Sequence, residues 1–154
     1  MHHTTLLLFA VAAGLAAEPA PLTPSQQALY DALVARDGAP PCATVEALSP
    51  TPVADLTLLA EEVTRPGWVG LRAADCLITR HAEAVTPQLQ RWMVSPDTKG
   101  LALLVVQKID LLPAPTAQDL AIRGLAGPHA ASLRPRLARA ADPNLRRLAT
   151  EPSR

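Results

Sequence analysis

Aromatic side chains make up only 3% of this 154-residue chain: two Trp, one Tyr and one Phe. That scarcity leaves the core to Leu, Ala and Val, and it removes the stacking platform on which single-stranded nucleic acids bind. Cysteine is nearly absent too. Cys42 and Cys76 stand alone, neither with a second ligand at zinc spacing, so no metal centre is expected. Lysine occurs twice against twelve arginines. Long alternating runs of β-branched or aromatic residues, the mark of strands, are missing. No residues stand in the pattern of a nucleotide or catalytic motif, and no cofactor is expected. The one long apolar run, Leu6 to Ala13, meets Glu18 and the prolines at 19, 21 and 24. It therefore stops short of the ~20 apolar residues that cross a bilayer.

That run fits the apolar segment of a secretory signal peptide better. Small residues at Gly14, Ala16 and Ala17 follow it and place cleavage after Ala16 or Ala17. The segment before it carries His2 and His3 but no Lys or Arg. The expected organisation is a signal peptide at 1–17, a linker at 18–23 and a single α-helical domain at 24–154. The expected location is the periplasm or the medium, with no transmembrane span left after cleavage.

Capping chemistry sets the helix boundaries. Thr23-Pro24-Ser25-Gln26 combines a hydroxyl cap, a proline in the first turn and a glutamine three residues on, predicting a helix over 24–37 stopped by Gly38. Thr51-Pro52 opens a second, with Val53, Leu56, Leu59, Ala60 and Val63 at helical spacing. A third carries Trp68, Leu71, Ala74, Leu77 and Ile78. Thr86-Pro87 starts a fourth and Ser95-Pro96-Asp97 a fifth running through Ile109. Thr116 and Asp119 cap a sixth that ends near Gly127. Two more are predicted over 129–140 and 143–150.

Alternate helix centres lie about 31 residues apart, and a fixed period of that order is the mark of stacked helical pairs. Asp142-Pro143-Asn144-Leu145-Arg146-Arg147-Leu148-Ala149 resembles the start of a second helix in HEAT-type α-helical repeats, Asp-Pro-x-Val-Arg-x-x-Ala, with Leu in place of Val. Pro66-Gly67-Trp68-Val69-Gly70-Leu71-Arg72-Ala73 is similar more loosely. Ser95 to Ala102 keeps the Pro-Asp turn and the apolar run. The resemblance covers about 52–150, in the short bacterial form of the repeat. It implies an all-α fold, a short α-solenoid of HEAT-like helix pairs, with an irregular helical bundle as the alternative. It also implies a scaffold or protein-binding surface and no particular chemistry.

Export would expose Cys42 and Cys76 to oxidising conditions, so they are disulfide candidates. Closing such a loop stabilises by roughly 3 to 4 kcal/mol on the chain-entropy argument. His81 is expected at a helix C-terminus, complementing the helix dipole, and His129 on the surface. Asp75, Cys76 and His81 could be drawn as a triad, but five residues of helix turn His81 about 140° from Cys76. Glu61-Glu62 reads as a solvated face.

Charge is the informative surface feature. The chain is neutral, with fourteen residues of each sign, yet Ala17 to Leu120 holds seven basic and twelve acidic residues. Ala121 to Arg154 holds seven arginines against Asp142 and Glu151. Arg134, Arg136, Arg139, Arg146 and Arg147 form the candidate binding surface, suited to an acidic protein partner. Export argues against nucleic acid. The expected function is an exported, non-catalytic interaction module or scaffold of the bacterial envelope. The alternative is a small disulfide-stabilised exported hydrolase or enzyme inhibitor.

Overall fold

In the computed structural model, which describes residues 21–151, the chain forms helices Pro24–Val34 (α1), Cys42–Glu46 (α2), Pro52–Glu62 (α3), Gly67–His81 (α4), Thr86–Val94 (α5), Lys99–Gln107 (α6), Ala114–Ala126 (α7), Ala130–Leu137 (α8) and Pro143–Thr150 (α9). Short 3₁₀ turns flank α6 at Pro96–Thr98 and Ile109–Leu111. The described residues contain no strand, so the all-α class expected from sequence is observed. The expected signal peptide, residues 1–17, lies outside the described residues. None of the described helices is long and apolar enough to cross a membrane.

Prolines do much of the punctuation. Five helices carry Pro in the first turn (α1, α3, α5, α7 and α9), where its missing N–H has no intrahelical partner to lose. The capping box of α1 is present: Gln26 N–H donates to Thr23 Oγ1 at 3.3 Å, and Thr23 N–H donates to Gln26 Oε1 at 2.9 Å. Asp142 caps α9 by accepting from Asn144 N–H at 2.8 Å.

Several boundaries differ from the sequence reading. Helix α1 ends at Val34, so Gly38, with φ of +112°, lies in the following loop instead of stopping the helix. The five-residue α2 was not expected. The single fifth helix is broken into a 3₁₀ turn, α6 and a second 3₁₀ turn. Helix α7 begins at Ala114, which puts Thr116 and Asp119 inside it and not at its cap. Asp119 instead accepts from Arg123 Nε and Gln90 Nε2, both at 2.8 Å. The Arg123 hydrogen bond, against the effect of partial burial and helped by Gln90, holds its carboxyl below the usual carboxylate value.

Packing sorts the helices into two layers. Helices α3 and α4, α5 and α6, and α7 and α8 pair as neighbours; α4, α6 and α8 touch in succession, as do α5, α7 and α9. Helix α1 lies against α3 and α4. The link from α5 to α3 is polar: Trp92 Nε1 donates to Glu61 Oε1 at 2.9 Å. Between the layers the buried residues form one hydrophobic cluster, from Leu29 and Leu33 through Leu56, Leu77 and Trp92 to Leu133 and Leu145. Trp92 is the largest fully buried side chain. Small residues let the layers approach. A Cβ on Gly70 would stand 3.1 Å from both the Ala60 and Val63 carbonyl oxygens.

Candidate binding surface

The C-terminal arginines divide into two groups once their partners are known. Arg134, on α8, donates through Nη1 to the carbonyls of Ala149 at 2.9 Å and Glu151 at 2.7 Å. Arg146, on α9, donates through Nη1 to Ala140 at 2.8 Å and Ala141 at 2.6 Å, just beyond α8. Arg146 thus ties down the loop between α8 and α9, while Arg134 caps carbonyls at the end of α9 that have no intrahelical donor. Arg72 does the same for α1, reaching Leu33 O at 2.6 Å and Ala35 O at 2.7 Å. The reason is shared. These helices end without a left-handed glycine, since Gly38 is the only described residue at positive φ, so the guanidinium fork supplies the missing donors.

Arg136, Arg139 and Arg147 are different. All three are exposed. Arg136 and Arg139 have no hydrogen-bond or ion-pair partner among the described residues. They line a shallow hollow of about 310 Å³ with Val106, Gln107, Asp110 and Ala140. Asp110 is held there by the Ala141 N–H, 3.0 Å from each carboxylate oxygen. Arg147 faces Glu151 at 3.9 Å, with both side chains more than half exposed, a pairing worth little in water.

At the opposite end of the chain, Cys42 and Cys76 form a disulfide with a Cα–Cα separation of 5.4 Å. It fastens α2 to α4. One turn further along both helices, Glu46 accepts from Arg80 Nε at 2.9 Å and lies 3.1 Å from His81 Nε2. Asp75, the remaining member of the triad drawn from sequence, pairs with Lys108 Nζ at 2.7 Å. The three residues thus serve three separate contacts and do not converge.

Two further expectations need correction. His129 is buried, not on the surface, with 7% of its area exposed, and its Nε2 lies 2.8 Å from the Ser95 carbonyl. That bond ties the start of α8 to the end of α5. Glu61 is not merely solvated, since it accepts from Trp92 and from Arg91 Nη2 at 3.4 Å.

Sequence reasoning missed the polar centre of the N-terminal third. Asp55 is buried and accepts from Ser49 Oγ at 2.6 Å, Gln26 Nε2 at 3.0 Å, Ser25 Oγ at 3.1 Å and Thr51 Oγ1 at 3.4 Å. Burial alone would raise its pKa. The four donors more than offset that and hold the carboxyl below its usual value. The available signal was four hydroxyl or amide side chains at two helix starts, Ser25 and Gln26 just after Thr23-Pro24 and Ser49 and Thr51 just before Pro52.

No protein family, curated protein or solved structure matches this chain. Its function is therefore read from its own surface. No group of three or more His, Cys, Asp and Glu side chains among the described residues could hold a metal ion.

Proposed function

We propose that the protein is an exported, non-catalytic interaction module or small scaffold of the bacterial envelope, binding an acidic segment of a partner protein through the outer face of α8 and α9. The observation that carries this reading is the pair Arg136 and Arg139, exposed and unpartnered beside one hollow. Arg147 extends the same charge on the adjoining helix. Two layers of successively packed helices support reading the chain as HEAT-like helix pairs, an architecture that offers extended faces for protein partners. The Cys42–Cys76 disulfide suits an oxidising compartment.

Charge on this face would steer association and set its salt dependence. Arg134 belongs to the interior of the unit and is left intact in the test. Captured envelope proteins are compared for the wild type, for Arg136→Glu/Arg139→Glu/Arg147→Glu and for the matching triple Lys variant. Partners retained by the Lys variant, lost by the Glu variant and released by raised salt are expected. The same partners on all three proteins would overturn the reading.

A further inference from the structure

A second surface shares no residue with the arginine face. The end of α3, the start of α4 and the turn that leads into α6 enclose a hollow of about 530 Å³, within the size range of ligand and side-chain pockets. Its walls are apolar, with Val63, Leu71 and Leu101 among them. Leu71 is 39% exposed, although it stands on a helix whose other large aliphatic side chains, Val69, Leu77 and Ile78, are buried. A Cβ built on Gly67 meets no atom within 4 Å, so the space above the first turn of α4 is open and does not belong to the packing of the two helices.

The polar part of the hollow has one sign. Glu61 and Asp97 line it, and no lysine or arginine does. Glu61 is already held by Trp92 and Arg91. Asp97 is exposed and has no partner among the described residues. An apolar bed edged by carboxylates, one of them unspent, complements an apolar side chain next to a cation. We infer that this hollow is a docking site for a short peptide segment of another protein, carrying Lys or Arg beside an aliphatic residue. Its aliphatic side chain lies against Leu71 and Leu101, and its cation meets Asp97 with Glu61 behind it. Electrostatic complementarity of this kind chooses between partners more than it adds affinity, so the charge of the ligand is the property to measure.

The test uses the full chain to select from a displayed library of random heptapeptides, with Gly67→Phe as counter-selection. The Cβ of that substitution meets no atom within 4 Å, and its ring is there to occupy the open space. Asp97→Lys, at an exposed position, is a second variant that leaves the walls intact. Enriched peptides are expected to carry Lys or Arg within two residues of Leu, Ile or Val. In fluorescence anisotropy the best of them should bind Gly67→Phe and Asp97→Lys at least about tenfold more weakly, and so should its Lys→Glu counterpart on the wild type. Three outcomes overturn the inference: selection without a cationic preference, unchanged binding to Gly67→Phe, or no selection with self-association that Gly67→Phe abolishes. The last assigns the hollow to a second copy of this chain. Acidic peptides that survive the counter-selection report on the α8 arginines, so each surface is judged by its own ligands.

Discussion

Asp55 shows how much one side chain can organise when its partners come from different segments. Gln26 uses its amide oxygen to complete the cap of α1 and its amide nitrogen to reach Asp55. Ser49 and Thr51 bring in the turn before α3. A charge that is both buried and hydrogen-bonded is costly to unbalance, so Asp55→Ala should lower unfolding free energy by about 3 kcal/mol in denaturant titrations at neutral pH. The pH dependence follows from a folded-state pKa below the unfolded value. Stability from this group is present in full above the ordinary carboxylate pKa of about 4, and it is lost as pH falls through the folded value. Wild-type stability should therefore drop more steeply below pH 4 than that of Asp55→Asn. Parallel curves for the two proteins would remove Asp55 from this role. None of it was visible from spacing, because the donors lie 4, 6, 29 and 30 residues away from Asp55.

At the scale of elements, proline and hydroxyl positions made most helix starts legible. Thr23-Pro24, Thr51-Pro52 and Asp142-Pro143 each precede a helix at or next to the predicted residue. Helix ends were harder to read, because capping here is tertiary. Arg72 and Arg134 cap carbonyls at helix ends 15 to 39 residues distant. The same contacts limited the candidate site, since a count of arginines cannot tell a cap from a free cation. Gly127 was read correctly as a stop but for a different reason. Its φ is −93°, and a Cβ there would lie 2.9 Å from the Met93 carbonyl oxygen and 3.2 Å from that of Arg123. Close approach, not a left-handed turn, requires glycine. Gly127→Ala should cost about 1 to 3 kcal/mol by forcing backbone apart. Gly67→Ala should change the melting midpoint little, and equal shifts in thermal unfolding would refute the distinction. Gly124 belongs between them: an added Cβ would overlap Met93 Cε, the movable end of a flexible side chain.

For the whole molecule, composition foretold an all-helical fold with an aliphatic core, because scarce aromatics and missing strand patterns left few other solutions. The pairing of two cysteines 34 residues apart, expected on the premise of export, is observed as well. Removing that bond in Cys42→Ser/Cys76→Ser should destabilise by roughly 3 to 4 kcal/mol. The variant should lose amide protection in α2 before it loses it in α7, by hydrogen exchange; uniform loss along the chain would show that the bond acts on the whole unit at once. The opposite charges of the two portions of the sequence are likewise a property of the whole, and salt titration of partner capture checks it.

The position of the disulfide gives the molecule a direction. Its covalent tie and the Asp55 cluster both lie before residue 77, whereas α8 and α9 are held by packing, by the Arg134 and Arg146 hydrogen bonds and by the His129 contact. Elements without a covalent tie open locally at lower free energy than those with one. Opening should therefore be easier in α8 and α9 than in α2 and α4, so the arginine face lies where the backbone is freer to adjust. The hollow beside α4 sits where it is most firmly anchored. The two proposed surfaces thus differ in how firmly the helices beneath them are held.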